Sequence, residues 1–330
     1  MNLSPHDQSR LHCAVLGLDV AKESVQAELR PISGGKRRFA FANKQSGFKQ
    51  LGRVLEQHPG AMVHAGLEAT GPYSQALALW LHLQGHRVSL LNPRRVKEYA
   101  RSAGLRNKTD ALDAGVIADF LYAHRHLPTW RPPLEELQQL QDLMRRRAQV
   151  QVLLLGEQNR LEASSETVRA SIQRLIVTLR GELASLEKAI AQQVRSHPTL
   201  ARNHQLLCTI KGIGSLTASV LLAEMLGPDQ VRRARQAAAH AGLSPRREES
   251  GRTVRRHKGI GKEGSRHLRK ALYMPALVAI KHNAPLRHFA CKLRAARKAE
   301  KAIICAVMRK LIHISFGVLK HQQPFNPSLA

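Results

Sequence analysis

The sequence predicts an α/β amino-terminal domain on a mixed β-sheet, then a long helical coiled coil, then a mainly α carboxy-terminal domain. Three observations carry that reading. Before residue 125, three strand-like runs come first, and strands then alternate with helical-period segments, the order of a mixed sheet covered by helices. Residues 134–196 contain no proline and only two glycines, Gly156 and Gly181. Beyond the His197-Pro198 break, apolar helical-period segments are separated by short turns and one strongly basic stretch.

The elements follow in order. Residues 11–30 read as strand, turn and strand, the apolar run CAVLGL leading into Asp19, and residues 36–43 alternate well enough for a third strand. Residues 46–58 form a helix with Ser46 as N-cap. The short apolar stretch 61–69 is a strand ending at Glu68. Residues 73–84 carry apolar side chains at helical spacing, and Gly85 supplies the stop. Another strand, 87–93, ends at Pro93, and helices follow over 94–102 and from Thr109 to Ala123. Between 134 and 196, Ile172, Leu175, Leu179, Leu183, Leu186 and Ile190 recur at spacings of three and four, as in a helical hairpin or coiled coil. Farther on, KGIG at 211–214 reads as a turn feeding a helix, and 232–243 as another helix. The last stretch, 298–320, is a helix with Ile303, Val307, Leu311, Ile314 and Val318 on one face.

Composition narrows the function. The 330 residues include 52 Lys and Arg against 24 Asp and Glu, a formal charge of +28. Such an excess fits a polyanion, because Lys and Arg displace counterions from phosphates. Aromatic residues are only 4%, so base stacking is not expected as the main mode of binding. The polar start and the lack of a long uninterrupted apolar run argue against a membrane and place the protein in the cytoplasm, on the nucleoid. Cys13, Cys208, Cys291 and Cys305 form no CxxC pair, which argues against a zinc site and a disulfide framework and reads as buried free thiols.

Against this basic background, Asp110 and Asp113 stand out in RNKTDALDA, 106–114. A spacing of three puts both carboxylates on one helix face, where like charges cost a few tenths of a kcal/mol unless something compensates. A divalent cation would. Mg²⁺ takes oxygen ligands and pairs protein carboxylates with phosphate oxygens. Asp19 and Glu68, both near strand ends, are positioned to join them. Four such acids can hold two metal ions across a phosphodiester. Taken singly, each is as easily a turn, cap or first-turn residue.

LGLDVAKESV, LEATGPYSQALALWL, RNKTDALDAGVIADF, AHAGLSPRREESG and KGIGKEGSRHLRKAL together resemble the DEDD-type transposases of the insertion-sequence one-ten family. The resemblance runs over nearly the whole chain. It implies a RuvC-like, RNase H-like catalytic domain over 1–128, a helical coiled coil over 129–200, and a carboxy-terminal transposase domain over 201–330. It implies Asp19, Glu68, Asp110 and Asp113 as Mg²⁺ ligands and Ser250 as the nucleophile that joins DNA covalently. Glu249 stands where the commoner family pattern has a first serine, so Ser244 and Ser265 remain alternatives. The resemblance also implies element and target DNA, a structured noncoding bridge RNA as guide, and a dimer that becomes a tetramer on DNA.

A serine hydroxyl needs activation, and Arg246, Arg247, Arg252, Arg255 and Arg256 around Ser250 are suited to neutralise a phosphate. Lys108, with Arg106, is a candidate phosphate contact beside the acids. Lys211 in the KGIG turn, with Gly212 and Gly214, resembles a helix–hairpin–helix phosphate clamp. Lys262, Arg266 and Arg269 extend the basic segment, which holds ten Lys or Arg within 246–270 and no material for a packed core. The leading expectation is a DNA recombinase that excises and inserts a mobile element. A RuvC-like junction nuclease without a covalent step, and a non-catalytic nucleic-acid scaffold, are the alternatives.

Overall fold

The computed structural model describes residues 14–57, 62–69, 71–104, 110–124, 126–225, 227, 231–250, 254–261 and 263–329. For 72, 110–112, 246–250 and 254–258 it describes the backbone alone. The chain divides into two compact units, 1–132 and 133–330.

The first unit is a five-stranded mixed sheet. Strands β1 (Val15–Val20), β2 (Ser24–Arg30) and β3 (Arg37–Ala42) are antiparallel neighbours, while β4 (His64–Glu68) and β5 (Arg87–Leu91) run parallel to β1, giving the order β3-β2-β1-β4-β5. Continuous hydrophobicity in β1 has a simple cause: the strand is buried on both faces. Leu16 and Leu18 pack in one cluster with Phe48 and Leu51 of α1 (Gln45–Glu56) and Leu77 and Leu81 of α2 (Gln75–Leu83). Val15, of opposite parity, packs with Ile117, Ala118 and Leu121 of α4 (Asp110–Ala123) and with Val96 of α3 (Pro93–Ser102). Asn92 caps α3 by accepting from Arg94 N at 2.9 Å, and Pro93 at the first helical position needs no partner for an N–H. Ser46 is not the cap of α1. That helix starts one residue earlier, with Lys44 extended at the N-cap and no side-chain cap bond.

The second unit starts with two long helices, α5 (Glu135–Glu162) and α6 (Glu166–Ser196), which pack as a hairpin. Their seam buries Val150 and Leu154 against Ile176, Leu183 and Leu186, and near the base Leu140 and Met144 against Ile190 and Val194. The periodic pattern is off by one residue at its start: Ile176 is buried and Leu175 is 45% exposed. Helices α7 (Pro198–Cys208), α8 (Ser215–Glu224), α9 (Ala234–His240), α10 (Arg266–His282), α11 (Ala284–Ala295) and α12 (Glu300–His321) enclose one core that includes Leu207, Leu221, Leu268, Leu272, Val307 and Leu311. Helix α12 is long and apolar enough to cross a membrane by length and composition, but half of that window is buried inside this unit.

The basic stretch 244–270 is not an open loop. Strands β6 (Pro245–Ser250) and β7 (Val254–Ile260) pair as an antiparallel hairpin, with Glu248 in register with Arg256 and Glu249 with Arg255. Cys208 and Cys291 are exposed, against the expectation of buried thiols, and Cys305 is intermediate. Cys13 lies outside the described residues.

Candidate catalytic site and nucleic-acid interface

Asp19 and Glu68 occupy equivalent places on neighbouring parallel strands. Gly17 is paired with Gly66 and Leu18 with Leu67, so Asp19 and Glu68 are the next residue on each strand, at the carboxyl ends, on strands roughly 4.8 Å apart. Parity puts them on the face of Gly17 and Gly66, where a Cβ on Gly17 would lie 2.1 Å from Ala114 O and one on Gly66 would lie 2.6 Å from Leu121 Cδ1. That is the face covered by α4. Glycine at these two positions lets the helix lie close against the sheet.

The direction of α4 follows from its contacts. Gly115 lies against Glu28, which is paired with Gly17, and Asp119 is bonded to Arg30, which is paired with Val15. Four helical residues rise about 6 Å and two strand residues about 6.6 Å, so the helix runs antiparallel to β1 in step with it. One turn back from Ala114 brings Asp110, the first residue of α4, to the level of Asp19, with Asp113 between. Asp19, Glu68 and Asp113 are all half-buried. Among the described residues, no group of three or more His, Cys, Asp or Glu side chains stands in metal-binding geometry. The side chain of Asp110 lies outside them. The donor set consists of carboxylate oxygens, the chemistry a hard divalent cation requires.

A buried ion network secures the seating of α4. The fully buried Glu28 accepts from Arg30 Nε at 2.8 Å and Nη2 at 2.6 Å, and from Arg38 Nε at 2.7 Å. Arg30 also donates to Asp119 of α4 and, at 3.2 Å, to Gly115 O. Burial by itself would raise the Glu28 pKa, but the bonds and charges of Arg38 and Arg30 outweigh it and hold the carboxyl below its usual range. Sequence reasoning missed this network. The available signal was Glu28 and Arg30 two apart on a strand, hence on one face.

In the second unit, Ser250 is the last residue of β6, in register with Val254, at the turn end of the hairpin. The root of the hairpin is closely built. Gly261 N donates to Ser244 O at 2.9 Å and Ser265 N to His240 O at 2.7 Å. A Cβ on Gly264 would fall 1.8 Å from His240 O. Glu224, at the end of α8, accepts from Ser265 Oγ at 3.4 Å and pairs with Arg145 of α5 at 2.9 Å. The base of the long hairpin and the root of the serine hairpin are thus held through one carboxylate. Sequence reasoning did not single out Glu224.

The expected phosphate contacts divide. Lys108, Arg252, Lys262 and Arg106 lie outside the described residues. For Arg246, Arg247, Arg255 and Arg256 the backbone alone is described, on β6 and β7. Lys211 and Arg266 are exposed. Arg269 instead serves the hairpin root, donating to Ala241 O at 3.1 Å and Gly264 O at 3.0 Å. The KGIG turn forms as expected: Gly212 has φ +110 and packs against Pro275 and Ala279, and Gly214 is the N-cap of α8. Of the alternative nucleophiles, Ser265 is occupied as the N-cap of α10, accepting from Leu268 N at 3.3 Å.

Both units match known families. A model of DEDD-type insertion-sequence transposases matches residues 16–164, and one described as transposase IS116/IS110/IS902 family matches 204–291. A pilin gene-inverting protein of Moraxella bovis is 32% identical over 314 residues, covering 94% of this chain and 97% of that protein. A probable family 20 transposase of Pseudomonas aeruginosa is 26% identical over 94% of this chain and 98% of its own length. The transposase for insertion sequence element IS1328 of Yersinia enterocolitica is 23% identical over 92% and 96%. With its mixed sheet, its acid-bearing strand ends and its matches in both units, the chain belongs to the IS110/IS116 family of transposases, DNA-recombining enzymes whose partner is DNA.

Proposed function

We propose that this transposase exchanges DNA strands through a covalent serine intermediate, with Mg²⁺ held by Asp19, Glu68, Asp110 and Asp113. The observation that carries the reading is the equivalent placement of Asp19 and Glu68 on parallel strand ends, beneath a helix seated on Gly17 and Gly66 and starting at Asp110. When bound, the metal supplies charge for the phosphate oxygens at the reacting phosphodiester. The four carboxylates hold and orient it. Ser250 Oγ bonds to phosphorus as the bond to the leaving oxygen breaks, the serine proton passing to that oxygen, and the incoming strand's hydroxyl later attacks the phosphorus, displaces Ser250 Oγ and gives it back a proton. Arg246, Arg247, Arg252, Arg255 and Arg256, on or beside the same hairpin, offset phosphate charge. Lys108, Lys211, Lys262 and Arg266 hold the nucleic-acid backbone.

The same reading assigns the acids to a catalytic domain over 1–128, the long helices over 129–200 to assembly, and the serine to 201–330. A bridge RNA chooses the target by base pairing, in the division of labour where pairing reads sequence and protein reads shape. The working form is a dimer that becomes a tetramer on DNA, in the cytoplasm on the nucleoid. Family resemblance and the +28 charge support these partners. The test uses end-labelled element DNA. Asp19→Ala and Ser250→Ala should each abolish strand exchange while leaving DNA binding intact, and wild type should yield a protein–DNA adduct at Ser250. Full activity in either variant, or metal-dependent free ends with no adduct, overturns the reading in favour of a nuclease.

A further inference from the structure

A second basic feature stands on helices α11 and α12. Helices α11 and α12 enclose a shallow cleft of about 220 Å³. Its floor is apolar, formed by Leu286, Phe289 and Ile314, and its rim carries His288, Lys292 and Lys310. Lys310 Nζ sits 5.6 Å from the centre of the Phe289 ring. From residue 284 to 321 the chain has nine Lys and Arg and a single acid, Glu300. That acid is taken: Arg294 binds it through Nε at 2.6 Å and Nη2 at 3.1 Å. Among the described residues, Lys292, Lys310 and Arg309 have no carboxylate partner.

Beside the rim, Arg309 Nε and His313 Nε2 are buried without a hydrogen-bond partner among the described residues. Burial and the charges of Arg309 and Lys310 push the His313 pKa down. Positive charge here is crowded and uncompensated, a cost that a bound anion would relieve. The Pro285 end of the cleft adjoins the KGIG turn, because Asn283 Nδ2 donates to Lys211 O at 3.2 Å. The backbone of Lys211 is thus tied next to that end of the cleft.

We propose that the α11–α12 cleft binds an unpaired stretch of nucleic acid, seating its phosphates on Lys292 and Lys310 and one base on Phe289. A charged rim over an apolar, aromatic floor matches a single strand, whose bases are free to stack on a ring. A duplex keeps its bases inside and offers only sugar and phosphate, so it could use the rim but not the floor. The strand is DNA opened during exchange or a single-stranded part of an RNA, and the chemistry of recognition is the same for both.

The test measures binding of short fluorescein-labelled DNA and RNA single strands, and of a DNA duplex, to the full chain over a range of salt. Lys292→Gln with Lys310→Gln should weaken single-strand binding by about tenfold or more and lower the salt slope by about 0.7 per lost phosphate contact. Phe289→Leu, which preserves the apolar packing, should weaken single strands several-fold with the slope unchanged. Duplex binding should change little, and Lys188→Gln on the long hairpin should change nothing. A larger loss on RNA or on DNA assigns the source of the strand, and equal loss supports the shared chemistry. Wild-type affinity for single strands in the double lysine variant overturns the proposal, as does an equal loss on duplex with Phe289→Leu silent. Neither Ser250 nor the acids are needed for this binding, so its outcome is separate from that of the catalytic reading.

Discussion

Replacing Gly17 by alanine tests the acid-bearing end of the sheet without touching an acid. The added Cβ would lie 2.1 Å from Ala114 O, 2.6 Å from Ala118 N and 3.0 Å from Ala118 Cβ. All three are backbone or first side-chain atoms of α4, so no flexible group can swing aside. Ordinary contact begins near 3.4 Å, so the helix must retreat by about an ångström. Overpacking of this kind costs about 1–3 kcal/mol, enough to lower the melting temperature without preventing folding. The chemistry should suffer more than the fold. Asp110 and Asp113 ride on the same helix, so their gap to Asp19 and Glu68 widens with the retreat. A misplacement of about 1 Å can cost on the order of 10²-fold in rate.

The assay is strand exchange well below the melting temperature, with Mg²⁺ titrated and DNA affinity measured separately. Gly17→Ala should be about 10²-fold slower and need more Mg²⁺, with DNA affinity unchanged. Gly66→Ala is the internal comparison: its new Cβ meets only the Leu121 side chain, nearest at 2.6 Å, which can rotate away. Its effect should be smaller. A Gly17→Ala protein with wild-type rate and metal requirement would refute the claim that α4 carries catalytic acids to the strand ends.

Two other predictions concern stability and the serine hairpin. Burial and the nearby Arg87 charge lower the His64 pKa from 6.5 to about 3, so the folded chain resists the proton that the unfolded chain accepts. Stability should be full above pH 6.5 and fall by a few kcal/mol as pH drops toward 3, and His64→Gln should flatten that part of a denaturation profile. Glu28 adds to the loss from its ordinary pKa of 4.5 downward, as pH falls through its depressed pKa. Gly264→Ala would drive a Cβ to 1.8 Å from His240 O, opening the root of the β6–β7 hairpin. Amide exchange in β6 and β7 should quicken and any Ser250 adduct form more slowly, while the amino-terminal unit exchanges at wild-type rates; unchanged exchange at the root would count against that role.

What the sequence disclosed, and what it hid, follows from the range of the forces involved. Strands β1 to β5 were legible because alternation and apolar runs are local, and Asp19 and Glu68 stood out because each closes such a run. The α5–α6 hairpin was legible from composition, but its seam was misjudged at Leu175, since a repeat of three and four fits two adjacent faces until a partner helix selects one. The β6–β7 hairpin was missed because its sequence is dense in charge and poor in apolar residues, which leaves no hydrophobic period to read. Glu28 and Glu224 were missed for another reason: nothing local marks a carboxylate as buried, and the ties that give them meaning, Arg30 to Asp119 and Glu224 to Arg145, join residues remote in sequence.

On the proposed chemistry, the two sets of functional groups are held in ways that suit their tasks. The metal ligands must not move: Asp19 and Glu68 sit at the ends of strands buried on both faces, and Asp110 and Asp113 on the helix that Glu28 and Arg30 fix against them. The nucleophile must approach a phosphodiester and later release it, and Ser250 sits at the turn end of a two-stranded hairpin. Such a hairpin is marginal by itself and depends on its root for direction. That root holds Gly264, the glycine with the closest approach among those described, the Arg269 clamp and the buried Glu224 that reaches Arg145 of the long hairpin. Close packing is concentrated at the root and at the strand ends, so the root sets the direction of the hairpin that carries Ser250.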